Sequence, residues 1–142
     1  MNEIKIKIER TISFEALNNL FSTAIEGGSN YWYFLDTEAC RILDKYVYPS
    51  DTIPHEEQNA RYFSERLIPA VQAGEKIPVH DIVDPDERLG FLSLESIKIG
   101  AENMVKDGRK EVELLFNEEA DHDANDADVV FQYCVMGEIV FG

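Results

Sequence analysis

The sequence predicts an α+β domain: a small mixed or antiparallel sheet packed by about four helices. Three observations point there. Isoleucines alternate with charged residues near the N-terminus, several segments between the ends carry helical periodicity with glycine stops, and a short apolar run closes the chain. With 142 residues, one domain spanning 1–142 suffices, and a chain of this length can bury a single core without cross-links.

Residues 2–10 read as a strand, because Ile4, Ile6 and Ile8 alternate with Lys5, Lys7 and Glu9. Ser13 then caps a helix whose apolar side is Leu17, Leu20, Phe21, Ala24 and Ile25, stopped by Gly27 and Gly28. The aromatic run from Tyr31 to Phe34 fits either a buried strand or the start of the next helix, which continues weakly from Glu38 to Tyr46. Pro49 to Pro54 is a loop. His55 to Gly74 reads as a longer helix that Pro69 kinks or ends.

Lys76 to Val83 reads as a short strand carrying Ile77, Val79 and Ile82, and Asp84-Pro85-Asp86-Glu87 is a turn. Ser93 caps a helix through about Lys106 with Leu94, Ile97, Ala101 and Val105 as its buried stripe, and Asp107-Gly108 stops it. Glu111 to Phe116 fits strand or helix. After the acidic run 117–128, Asn125 or Asp126 caps a helix through Met136, with Val130, Phe131 and Cys134 inward. Gly137 ends it, and Ile139-Val140-Phe141 closes the chain as a strand, so both termini are expected in the sheet.

Charge narrows the functional classes. Thirteen Lys and Arg stand against 28 Asp and Glu, for a net charge of −15. No Lys or Arg follows Lys110, while nine acids do. Such a field repels nucleic acid and anionic membranes and attracts a basic partner surface. No apolar run reaches the roughly 20 residues of a membrane span. The N-terminus lacks the apolar core of a signal peptide, so the expected location is cytoplasmic. Cys40 and Cys134 form no metal-binding or redox pair motif.

Candidate chemistry is sparse. Asp121, Asp123 and Asn125 imitate the first ligands of a calcium loop, but Asp126 stands where the turn needs glycine and Gln132 where it needs glutamate. His55, His80 and His122 lack metal-site spacing, and His80-Asp81 is the one pair worth inspecting for catalysis. Gly27-Gly28 follows a helix and lacks the lysine of a phosphate loop. We therefore expect no cofactor, no metal and no catalytic residue. The expected binding residues are the acids Glu118, Glu119, Asp121, Asp123, Asp126 and Asp128. A second possible surface comprises Glu26, Asn30, Tyr31, Trp32, His80 and Asp81, since aromatics anchor interfaces.

Two stretches together resemble a known group. One is Ala24-Ile25-Glu26-Gly27-Gly28-Ser29-Asn30-Tyr31-Trp32. The other runs from Ala124-Asn125-Asp126-Ala127-Asp128 through Gln132 to Gly137-Glu138-Ile139-Val140-Phe141-Gly142. They are similar to a widespread group of small phage and prophage proteins that pairs A-x-E-G-G-x-N-Y-W with a C-terminal D-A-D-x-x-x-Q-x-x-x-x-G-E-I-V-[FY]-G. A central strand with His80-Asp81 fits the same pattern. The resemblance brings no activity with it; it implies a bacterial host cell during phage or prophage gene expression. With the charge, it leads to an expected inhibitor of a host defence nuclease or ribonucleoprotein, of anti-CRISPR or anti-restriction type, acting through acids. The alternative is an accessory protein of phage replication or host takeover that binds a small ligand or protein through Glu26 to Trp32. Oligomeric state is open on these grounds.

Overall fold

The computed structural model describes residues 3–6, 8–49 and 54–142, without the side chain of His55. Helix α5 (Ala124–Met136) lies at its centre. Every residue from Ala127 to Val135 is buried, Asp128 and Gln132 included. A segment reading Val-Val-Phe-Gln-Tyr-Cys-Val has no polar face to offer water, so other elements must surround it. Those elements are α4 (Leu94–Lys106), α1 (Phe14–Thr23) with the single π turn Ala24–Gly28 that continues it, and the edge of a three-stranded sheet.

The sheet is antiparallel, in the order β1 (Tyr33–Phe34), β2 (Ile77–Asp81), β3 (Arg88–Leu92). Tyr33 pairs with Asp81 and Phe34 with His80; Ile77 pairs with Leu92 and Val79 with Gly90. Pro78 lies in the middle strand, where a missing N–H would ordinarily break the ladder. It is tolerated because β1 pairs only with residues 80 and 81, so β2 is an edge at Pro78. Helices α2 (Thr37–Asp44) and α3 (Leu67–Gln72) complete the packing around Leu43, Leu67, Val71, Ile77 and Val79.

Helix starts follow local capping. Ser13 accepts from Ala16, and Asp36 from Ala39. Ser93 with Ser96, and Asp123 with Asp126, form reciprocal capping boxes. The last helix thus begins two or three residues earlier than its acids suggested, with Asp123 rather than Asn125 or Asp126 at the cap.

Several expectations are corrected. The sheet includes neither terminus. Over residues 3–6 and 8–10 there is no strand; Ile4, Ile6 and Ile8 are 92%, 74% and 70% exposed and pair with nothing among the described residues. The alternation shows that these residues suit a strand, but no sheet edge lies beside them. At the other end, Ile139 to Phe141 form no strand because the Gln132 side chain takes their backbone groups.

The long helix over 55–74 is replaced by 3-10 turns at His55–Glu57 and Phe63–Arg66 and by α3. Arg61 holds the intervening chain off helix by donating to the carbonyls of Tyr46, Tyr48 and Pro49. Pro69 is the third residue of α3, where an N–H has no helical acceptor. The loop expected at 49–54 falls largely outside the described residues. Strand β3 had no strand signal of its own. Residues 110–115 are a 3-10 helix, and in α4 the buried side is Ile97, Gly100, Ala101 and Met104, leaving Leu94 and Val105 exposed.

The α4–α5 contact depends on Gly100. A Cβ at that position would overlap the carbonyl oxygen of Tyr133, and backbone cannot retreat as a flexible side chain can. Gly100→Ala is expected to lower stability by about 1–3 kcal/mol, read as a lower urea midpoint at unchanged slope. Gly27→Ala, which meets nothing within 4 Å, serves as the control.

Candidate functional site: a buried aspartate and an acidic loop

The two sequence stretches that carry the resemblance meet in space. Asp128, 6% exposed on α5, receives four donors. Ser29 Oγ and Trp32 Nε1 each donate to its Oδ1 at 2.7 Å. Tyr31 OH donates to Oδ2 at 2.5 Å and Gln132 Nε2 to the same oxygen at 3.1 Å. These are charge-assisted distances, and the donors fill most of the acceptor capacity of the carboxylate.

Gln132, one turn later on the same face, ties in the C-terminal segment. Its Oε1 accepts from the backbone N–H of Val140 and of Phe141, and its Nε2 donates to Phe141 O at 3.1 Å. The side chain of Phe141 then stacks on Trp32, with centroids 5.5 Å apart and planes at 14°. Trp32 also meets Phe131, which in turn meets Phe21 edge-on. Gly28 is required where the segment crosses α5, since a Cβ would stand 2.6 Å from the Ala124 carbonyl oxygen. The segment Gly28 to Trp32 is therefore clamped to α5 and to the chain end.

This geometry redistributes the expected site residues. Asp128 is internal and leaves the acidic surface. Trp32 is 1% exposed and belongs to the core, so it cannot anchor a partner directly. Asn30 and Tyr31 are exposed beside it, and Glu26 accepts from Ser64 Oγ at 2.9 Å. His80 and Asp81 do not form a pair. Neighbours on a strand point to opposite faces. The carboxylate of Asp81 accepts from Val83 N, whereas His80 Nε2 lies 3.0 Å from Asp36 Oδ2. Asp36 is the cap of α2, so the ring braces a helix start; its Nδ1 is buried and unpartnered among the described residues. Asp36 carries no sequence mark beyond its capping position, which is why the pairing was not foreseen.

The remaining acids form an exposed loop. Glu118, Glu119, Asp121 and Asp123 are exposed and Asp126 half-buried. Asp123 and Asp126 are engaged in the capping box, and Glu118 accepts from Ser13 Oγ. His122 Nε2 lies 2.8 Å from Thr23 Oγ1. Both ends of the loop are thereby fixed to α1, beside a shallow cavity of about 280 Å³ lined by Asn19, Glu118, Asp121 and His122. Among the described residues no group of three or more His, Cys, Asp and Glu gathers as metal ligands, and no helix is long and apolar enough to cross a membrane.

Burial alters the acidity of several groups, and two bear on the site and the core. Cys134 is pushed up to about 12 by complete burial, which makes it an inert core thiol. Tyr31 is pushed up to about 12, first by burial and then by its bond to, and the charge of, Asp128, with the Gln132 bond opposing.

Comparison with known proteins returns no matching family model, and no significant match among curated proteins or solved structures. The geometry alone therefore carries the assignment of roles.

If Asp128 is the clamp, Asp128→Ala strands the buried Ser29 and Trp32 donors. A loss on the order of 3 kcal/mol or more is expected in urea unfolding followed by the single tryptophan. Asp121→Ala should stay within about 0.5 kcal/mol. Equal effects of the two would remove the clamp.

Tyr31 gives a pH signature. Its pKa in the folded chain lies above the unfolded value near 10, so folding favours the neutral phenol. Its contribution is complete below about pH 10 and is lost as pH rises through about 12. The alkaline fall in stability should be shallower in Tyr31→Phe than in the wild type; identical profiles would contradict the bond to Asp128.

Proposed function

We propose that the protein is a binding protein of phage or prophage origin that inhibits a host defence nuclease, of anti-CRISPR or anti-restriction type, by presenting acids to its basic groove. The observation that supports this reading is the exposed loop Glu118 to Asp123, held at both ends to the body of the domain. Mobile acidic tails lose entropy when they dock, whereas a braced loop presents its charges with little further ordering. The net charge of −15 adds a long-range field that speeds encounter with a cationic surface. The phage context rests on the resemblance of the Ala24–Trp32 and Ala124–Gly142 stretches.

The acids assigned to contact are Glu118, Glu119 and Asp121, with Asp123 and Asp126 holding the loop's exit. The competing surface built on Glu26 to Trp32 loses its main anchor, because Trp32 is buried.

The test is affinity capture from the host with the wild type and with a Glu118→Lys, Glu119→Lys, Asp121→Lys triple variant. The wild type is expected to retain a nuclease or ribonucleoprotein at low salt, with on-rates that fall steeply as salt rises. The variant should keep its unfolding midpoint within about 1 kcal/mol and lose at least tenfold in affinity, roughly 1.4 kcal/mol. Retention of the same partner by the variant would move the interface elsewhere.

A further inference from the structure

We propose that the hollow where the end of α2 meets α3 is a binding site for a small oxyanion, a carboxylate or phosphate carried on a flat apolar body. The hollow holds about 380 Å³, within the range of small-ligand sites, and Lys45, Tyr46, Tyr48, Pro49, Arg61 and Pro69 are among its walls. Two cations and no acid line it among the described residues. That stands out in a chain with 28 Asp and Glu against 13 Lys and Arg. The cavity beside the acidic loop is lined by Glu118, Glu119 and Asp121, and the groove beside Arg10 by Glu9, Glu102 and Glu113.

Arg61 is held as a receptor rather than as the partner of another side chain. Its Nη1 donates to Tyr46 O and Tyr48 O at 3.3 and 3.0 Å, and its Nη2 donates to Pro49 O at 2.7 Å. These neutral carbonyls fix the plane of the guanidinium but supply no counter-charge, and a guanidinium keeps its charge. The donors left over are Nε–H and the second proton of Nη2, which together form its side-on fork. Among the described residues nothing accepts from that fork. Two parallel N–H groups match two oxygens of a carboxylate or phosphate. Lys45 is the second cation. Its ammonium lies 3.3 Å from Glu75 Oε2, which also accepts from Tyr46 OH at 3.0 Å. Glu75 steadies both residues from outside the walls and leaves the ammonium further protons to donate. The tyrosine rings and the two prolines offer the body of the ligand apolar surface. Because backbone carbonyls already hold Arg61, docking needs little further ordering.

Titration of the isotope-labelled full chain with phenyl phosphate and with benzoate, followed by two-dimensional NMR, tests this. At least one probe is expected to saturate with a Kd of about 1 mM or tighter, moving the Arg61 Nε–H signal and the amides of Tyr46, Gln72 and Ala73. Which probe binds more tightly separates phosphate from carboxylate recognition. Benzamide, which keeps the ring and lacks the charge, should bind about tenfold more weakly or worse. Arg61→Lys keeps the cation and loses the fork, and should weaken binding by about tenfold or more. Arg61 also holds the chain from Tyr46 to Pro49, so Lys45→Gln is the companion variant. It leaves those bonds in place and should weaken binding about threefold or more with the urea midpoint unchanged. No saturable shift with either probe up to about 10 mM overturns the proposal. Equal affinity for benzamide does so as well, as do shifts confined to signals remote from this hollow or binding that both variants leave intact.

Discussion

A single buried carboxylate organises this protein. Taking Asp128 out of water is costly, and the fold meets that cost with donors from a segment about a hundred residues earlier and from its own helix. The arrangement fixes more than four bonds. Ser29, Tyr31 and Trp32 can all reach one carboxylate only if the chain turns sharply after α1, which the π turn and Gly28 allow. Once Trp32 is placed, its other face is open to be stacked by Phe141, and Gln132 holds that residue's backbone against it. Chain entry, central helix and chain end are thus set by one polar centre inside an apolar cluster. Such centres favour one packing over others, because any alternative leaves a buried charge or a buried donor without a partner.

The same centre divides the acidic C-terminal third by role. Asp128 is spent on structure, and Asp123 and Asp126 on starting the helix that carries it. The acids left facing solvent are those the fold does not need, at Glu119 and Asp121, with Glu118 lightly held by Ser13. A run that looks uniform in composition is thus three functions in order: a solvated face, a helix cap and a buried anchor. The exposed face is rigid because the other two are in place.

Much of the fold was legible where the signal is local. Ser13, Ser93 and Gly137 mark helix limits through the geometry of the residues adjoining them, and Ile77 with Val79 marks a buried strand. The rest depends on encounters that sequence spacing does not encode. β3 carries a glycine and a surface arginine, so it has no strand pattern until β2 lies beside it. Residues 55–74 have a helical pattern, but Arg61 finds three carbonyls from an earlier loop and the helix is lost. At the site, the Ala24–Trp32 stretch and the tail were visible as separate motifs. That they are two halves of one network is visible only in three dimensions, as is the partnership of His80 with Asp36 in place of Asp81.

The N-terminal alternation illustrates the converse. Its period of two is the pattern of a half-buried strand, yet the described residues form no strand there and the isoleucines have no cover. A pattern of this kind states what a segment would bury, not where the partner comes from. No strand of the sheet pairs with it among the described residues. A chain this acidic also gains nothing from an exposed apolar arm in solubility terms. Arm and acidic loop thus divide the surface between them. One is apolar with a slight excess of bases; the other is anionic.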